Sequence, residues 1–305
     1  MTSVRGNQTQ GITVSPVGGF GNQLFIYATG FAAASRQGCP LYIDDSWFAT
    51  QSLRTYELDT FASIGTKVEK KIQRSFASRT RPARLSRRVA TRLNMPPFKT
   101  ISEQKLFNFD PRARSAPPGV RLSGYLQSYK YFTDVSDQLR EQLVSIVNPS
   151  PWFIETQSVL AALGPWIAVH VRRGDYLNKG TSEVHGIVTG SYYSDGLRIM
   201  GTFVPEAIPV VFSDDPQAAR QMLRGEYPGA IFINSPPTSK SIESIVLMSQ
   251  SAGSIIANSS FSWWGAWLGD KEGRSVIAPR PWMDDPNFHE RDLFPPGWLT
   301  LGRER

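Results

Sequence analysis

Cysteine is almost missing from this chain: Cys39 is the single one in 305 residues. One thiol cannot close an internal disulfide, so a stapled secreted scaffold is excluded and a reducing, cytoplasmic setting is expected. Cys39 then reads as a small core residue, and the sequons at Asn7 and Asn258 carry no weight. Long hydrophobic runs are missing too. No apolar stretch approaches the roughly 18 residues that a membrane-spanning helix needs. The opening MTSVRGNQTQG lacks the apolar centre of a secretory leader, so none is expected. Internal repeats are absent. The glycine-rich turn GGFGNQ (18–23) is neither a phosphate-binding Walker loop nor a GxGxxG fingerprint.

What is present is ample core material: 40% hydrophobic residues with 11% aromatics, in a length that suits two domains. The net charge of +7 is unevenly spread. Residues 67–92 carry ten basic side chains (Lys67, Lys70, Lys71, Arg74, Arg79, Arg81, Arg84, Arg87, Arg88, Arg92) against Glu69, a local +9 that leaves the remainder at −2. The segment reads as a basic helical insertion. It is either a solvated face or a contact for an anionic surface, with a membrane, a nucleic acid or an anionic acceptor as candidates. Phe76 is its one aromatic, and no nucleic-acid motif accompanies it, which argues against a single-strand groove.

Hydrophobic patterning describes an α/β protein. ITVSPV (12–17) reads as a strand, GGFGNQ as a turn, residues 24–35 as a helix ended by Gly38, and PLYID (40–44) as a second strand. Residues 45–150 are less regular, with VRLSGY (120–125) a candidate strand and 138–147 a helix broken by Asn148–Pro151. A boundary is expected there, giving domains 1–150 and 151–305. Beyond it the alternation is even: strands at 166–172, 208–213, 230–234, 254–258 and 275–279, with helices at 191–203, 216–226, 239–251 and 259–269. Near-continuous apolar strands alternating with helices argue a parallel sheet covered on both faces. The polar clusters HVRRGD, FSDD and NSSFS all fall at the C-terminal ends of strands, where such sheets bind ligands.

The centre of the pattern is WIAVHVRRGDY (166–176), a buried strand that ends in His170, Arg172, Arg173 and Asp175. Adjacent side chains on an extended strand point to opposite sides, so one arginine can face a ligand while an acid holds the other. An arginine fork matches phosphate oxygens and keeps its charge at any working pH. A structural ion pair at a strand end is the plainer alternative.

Four stretches, GGFGNQLFIYA (18–28), HVRRGDY (170–176), VFSDDP (211–216) and ANSSFSWWGAWL (257–268), together resemble the α-1,2-fucosyltransferases of glycosyltransferase family 11. They run in family order from end to end. The resemblance implies a GT-B fold of two Rossmann-like domains, the second holding the nucleotide and the first most of the acceptor. It implies GDP-β-L-fucose as donor, inversion at the sugar's C1, and a terminal β-galactoside, free or lipid-linked, accepting at its 2-hydroxyl. No cofactor or metal is expected. The sequence has no DxD triplet, and Asp44–Asp45, Asp214–Asp215 and Asp284–Asp285 lack partners at ligand spacing. A growing diphosphate charge then needs fixed cationic donors instead.

That task falls to Arg172, with Arg173 as an inward structural partner or a second clamp. The expected nucleotide and phosphate set is Gly19, Gly21, Asn22, Gln23, His170, Arg172, Asp214, Asp215, Glu243, Asn258, Ser260, Phe261 and Ser262. Within it, a carboxylate can accept both guanine donors at once, N1–H and the 2-amino group, and the carboxylates near that sheet edge are Asp214, Asp215 and Glu243. A distant similarity to the core fucosyltransferases, in which acids near this place contact the guanosine, implies Glu243 for the base; the alternative is that Glu243 complements a helix dipole. Asp214 or Asp215 would hold the loop or the ribose. Trp263, Trp264 and Trp267 read as core at helical spacing, and His289 as structural. The proton acceptor stays open among Asp175, His185 and Glu183, or no base at all. Two other classes compete: a nucleic-acid or anionic-surface binder acting through 67–92, and a module that binds nucleotide or sugar without turnover.

Overall fold

The computed structural model describes residues 10–61, 68–70 (backbone only), 99–173, 186, 188–223 and 227–303. Two parallel sheets organise them. The first half of the chain runs β1 (Ile12–Val14), α1 (Phe20–Gln37), β2 (Leu41–Ile43), β3 (Val68–Lys70), β4 (Lys99–Ser102), α2 (Pro111–Arg114) and β5 (Val120–Ser123). Helices α3 (Ser136–Val144) and α4 (Pro151–Ala161) lead on. The second half runs β6 (Trp166–Val171), α5 (Gly190–Phe203), β7 (Ile208–Ser213), α6 (Pro216–Leu223), β8 (Ile231–Ile233), α7 (Ser241–Ser249), β9 (Gly253–Ile255), α8 (Ser260–Leu268), β10 (Ser275–Arg280) and β11 (Leu299–Gly302).

The first sheet has the order β3-β2-β1-β5-β4 and the second β11-β10-β9-β6-β7-β8. Every strand pairing among the described residues is parallel. Two α/β sheets of this kind in one chain are the Rossmann-like pair expected of a GT-B fold. Strand β6 is buried at all six positions, as a central parallel strand covered on both faces must be.

Strand order also locates two crevices. From β6 the chain moves outward to β7 and β8, then returns to β9 on the other flank and continues to β10 and β11. The loops after β6 and β9 therefore leave in opposite directions and open a gap between them, the switch point at which such sheets take ligands. In the first sheet, β1 leads away to β2 and β3, while β5 lies on its other flank. A second crevice thus opens between the ends of β1 and β5.

Several boundaries follow from local chemistry. Gly38, at φ 59°, closes α1 and sends its N–H back to the Ala34 and Ser35 carbonyls. Ser150 caps α4, accepting from Phe153 N, with Pro151 in the first turn. Other expectations need correction. Val68–Lys70, placed in a basic helix by composition, pairs in parallel with β2 as a strand. The rest of the 67–92 segment, Lys67 and residues 71–92, lies outside the described residues. Patterning also missed β4, α4 and β11.

The core is shared between the sheets. Trp263 and Trp264 are fully buried and Trp267 nearly so, as their spacing suggested. Their rings meet Phe25 of α1 (centroids 4.4 Å from Trp263 and 5.0 Å from Trp264) and Phe132 (5.4 Å from Trp264). Helix α8 is thus an element of the second sheet whose aromatic face fills the core of the first.

Candidate active site

The switch point of the second sheet lies between the end of β6, with Arg172 and Arg173, and the turn from Asn258 into α8. Asp214, at the end of β7, organises the arginines. Its Oδ2 is 3.2 Å from Arg172 Nε, and its Oδ1 accepts from the Arg173 backbone N–H at 2.8 Å. Sequence reasoning expected an acid to hold one arginine and free the other. The structure uses Asp214 on Arg172, while Arg173 Nε is buried with no hydrogen-bond partner among the described residues. A guanidinium held at Nε has a fixed plane, which suits it to meet a diphosphate without reorganising.

His170 lies two residues before Arg172 on the strand and is 4% exposed. Its ring stands 5.7 Å from that of Phe261 in α8, and its carbonyl accepts from Tyr193 Oη at 3.0 Å. Burial pushes its pKa down to about 4; Asp214 opposes this and Arg172 adds to it. The imidazole is therefore neutral at neutral pH, and the arginines carry the positive field. Its Nδ1 is buried with no hydrogen-bond partner among the described residues.

The two crevices are tied together. Asn22 Oδ1, in the first turn of α1, accepts from Ser260 Oγ at 2.6 Å and from Gln127 Nε2 at 2.7 Å. Trp264 Nε1 donates to the Gly21 carbonyl at 3.0 Å. A Cβ on Gly21 would lie 2.5 Å from the Ser260 carbonyl carbon and 2.6 Å from Phe261 N, so only glycine lets the two helix starts approach this closely. Gly21, Asn22 and Ser260, expected to meet the nucleotide, are thus engaged with each other across the two halves. Gly19, the N-cap of α1, has open space where a side chain would go.

Other residues of the expected set are occupied by the protein itself. Gln23 is fully buried, donating to the Thr55 and Gly18 carbonyls and accepting from Glu57 N. Glu57 in turn bonds to Ser241 at the start of α7, and burial raises its pKa. Asp215 caps α6 by accepting from Ala218 N at 2.9 Å. Ser262 is fully buried and its hydroxyl donates to the Ser259 carbonyl at 3.2 Å. Asn258 Nδ2 donates to the Trp282 carbonyl at 3.2 Å.

Glu243 is the clearest correction. It is fully buried, and both of its oxygens are taken: Oε1 by Ser150 N at 2.7 Å, Oε2 by Ser150 Oγ at 2.9 Å and by Lys240 N at 3.0 Å. It caps its own helix and pins the start of α4, which leaves no edge to read a guanine. The helix-terminus alternative describes its place. Asp175, His185 and Glu183 lie outside the described residues.

Acidic pairs do not gather. Asp44 pairs with Arg121 at 2.6 Å, Asp214 with Arg172, and Asp284 with Arg303 at 2.6 Å. Among the described residues no cluster of three or more His, Cys, Asp or Glu side chains could hold a metal ion, and no helix is long and apolar enough to cross a membrane.

Two parallel α/β sheets with an arginine–aspartate pair at a switch point are an architecture that binds a ligand at that crevice. The model of "Glycosyl transferase family 11" matches residues 116–302, and the chain belongs to that family. It is 30% identical over 292 residues to an alpha-1,2-colitosyltransferase of Escherichia coli, covering 93% of this chain and 96% of that protein. It is 29% identical to the O-antigen biosynthesis glycosyltransferase WbnK of Escherichia coli, covering 93% and 98%. A galactoside 2-alpha-L-fucosyltransferase of Caenorhabditis elegans is 25% identical over 190 residues, 59% of this chain and 52% of that protein.

Proposed function

We propose that this glycosyltransferase moves L-fucose from GDP-β-L-fucose, with inversion, to the 2-hydroxyl of a terminal β-galactoside. The observation that carries the reading is the Arg172–Asp214 pair at the switch point, beside the start of α8. In the reaction the bond from fucose C1 to the β-phosphate oxygen breaks and GDP leaves with its electron pair. The acceptor's O2 forms the new bond to C1 from the opposite face, and its proton passes to a base. Arg172, with Arg173 beside it, stabilises the leaving diphosphate as charge grows on it. Backbone N–H groups at the start of α8 favour an anion there. Asp175, His185 and Glu183 are the candidates for the base, and a loose transition state with no base is the remaining alternative. Residues 1–150 serve as the acceptor lobe and 151–305 as the donor lobe, with 67–92 as a contact for an anionic membrane surface carrying lipid-linked acceptors.

The colitosyl relative supports a second donor, the 3-deoxy counterpart of fucose. The test is GDP release with lactose as acceptor and GDP-fucose or GDP-colitose as donor, with the product linkage read by NMR. An α-fucosyl group on galactose O2 is expected. GDP release without sugar transfer, or attachment at another hydroxyl, would defeat the proposal.

A further inference from the structure

The crevice of the first sheet holds a feature that the donor reaction does not use. After β5 the backbone turns through Gly124 at φ 132° and Leu126 at φ 53°. A left-handed leucine is uncommon and persists only where its surroundings over-determine it. Here Leu126 is fully buried. Between these two residues stands Tyr125, 37% exposed.

The turn is braced from beneath by Glu103, just beyond β4. Its Oε2 accepts from Tyr125 N at 2.7 Å, and its own N–H donates to the Ser123 carbonyl at 2.8 Å. The Leu126 backbone N–H turns to the same carboxyl, and burial raises its pKa against both backbone donors. A Cβ on Gly124 would collide with the Glu103 side chain, so the turn accepts only glycine there. A buried carboxylate, a glycine and a left-handed leucine are all spent on the conformation of one surface tyrosine. The ring leans over the glycine turn across the crevice: its Cε1 lies 3.5 Å from where a Gly18 Cβ would be. Two residues on, Gln127 reaches the Asn22–Ser260 tie beside the donor crevice.

We propose that Tyr125 is the stacking platform for the acceptor sugar, receiving the apolar face of a β-galactoside at the mouth of the crevice between β1 and β5. The axial 4-hydroxyl of galactose leaves the hydrogens of C3, C4 and C5 together on one face, an apolar patch that an aromatic ring matches. Tyrosine supplies contact area at low entropic cost, with a hydroxyl at the wet rim. The inference rests on the transferase reading above.

The test separates the two. Donor hydrolysis without acceptor and transfer to lactose are both measured for the wild type, Tyr125→Ala and Tyr125→Phe. Tyr125→Ala should raise the acceptor KM about five- to tenfold, with kcat, donor KM and donor hydrolysis within about twofold. Tyr125→Phe should keep the acceptor KM. An unchanged acceptor KM in the alanine variant, or an equal rise in donor KM, would overturn the platform and leave the transferase reading standing. A wild type that neither hydrolyses donor nor transfers it would overturn the transferase reading itself and the platform with it.

Discussion

Gly21→Ala is the sharpest probe of how the two halves are joined. The added methyl would sit 2.5 Å from the Ser260 carbonyl carbon, 2.6 Å from Phe261 N and 2.7 Å from the Ser260 oxygen. All three are backbone atoms, so no side chain can swing aside. Relief to ordinary contact, about 3.5 Å, asks the start of α8 to retreat by about 1 Å. Overpacking of this kind costs about 1–3 kcal/mol. The retreat also stretches two bonds, Trp264 Nε1 to Gly21 O at 3.0 Å and Ser260 Oγ to Asn22 Oδ1 at 2.6 Å. An indole N–H left unpaired in the core costs about 1–3 kcal/mol more. The better helix propensity of alanine returns at most about 1 kcal/mol. The net loss is about 1–5 kcal/mol, which at about 2.1 cal/mol/K of unfolding entropy per residue lowers the Tm of a chain of this length by about 2–8 °C. Because both crevices border the tie, transfer measured well below the melt should fall about tenfold or more. Gly19→Ala, with open space around it, should cost no more than the ~1 kcal/mol of a poorer N-cap. Thermal unfolding followed by circular dichroism decides the matter: a Gly21→Ala variant melting within about 1 °C of wild type would refute the argument.

Arg172→Ala should lower kcat by about 10²–10³-fold, and Arg172→Lys should recover little, because a point charge cannot form the fork; near wild-type turnover in the alanine variant would remove the clamp. Glu243→Ala should cost about 2–4 kcal/mol in urea unfolding, by stripping Ser150 and Lys240 of their acceptor, while calorimetry finds the GDP-over-ADP preference unchanged. A collapsed preference in a folded variant would return base recognition to this residue. His170 sets an acid limb: its folded pKa of about 4 lies below the unfolded value, so the unfolded state binds the extra proton and stability falls as pH drops from about 6.5 to about 4. His170→Gln should flatten that limb in melts taken across the range, and a limb of unchanged slope would assign it elsewhere. Activity should survive excess EDTA; complete loss restored by Mn²⁺ or Mg²⁺ would show that a metal shares the phosphate load.

Much of the architecture was readable because parallel strands announce themselves. WIAVHV is apolar but for His170 and buried throughout, and the polar residues that follow it mark the ligand edge of the sheet. The tryptophans of α8 betrayed their burial by spacing. What could not be read was the partner each polar side chain would choose. Glu243 meets Ser150, 93 positions away, and Ser260 meets Asn22, 238 positions away. A carboxylate in the first turn of a helix looks the same in sequence whether it faces a base or a neighbouring helix cap. Asp215 carried a local sign, an acid directly before Pro216 at a helix start, and that sign pointed to capping. Tyr125 was hidden because patterning ran the strand through residue 125, whereas β5 ends at Ser123 and leaves Tyr125 and Gln127 just beyond its C-terminal end.

The aromatic block of Trp263, Trp264, Phe25 and Phe132 sets a rule for anyone recombining members of this family. A C-terminal half cut at residue 150 and grafted onto another N-terminal half would bring α8 without its counterpart rings, and leave buried indoles facing a surface that carries different ones. Chimeras should be exchanged along that packing surface instead. Helix α1 and the segment around Phe132 should travel with α8, although they come from the opposite end of the chain. The edge strands of the first sheet and the loop bearing Tyr125 would then be free to vary as an interchangeable module.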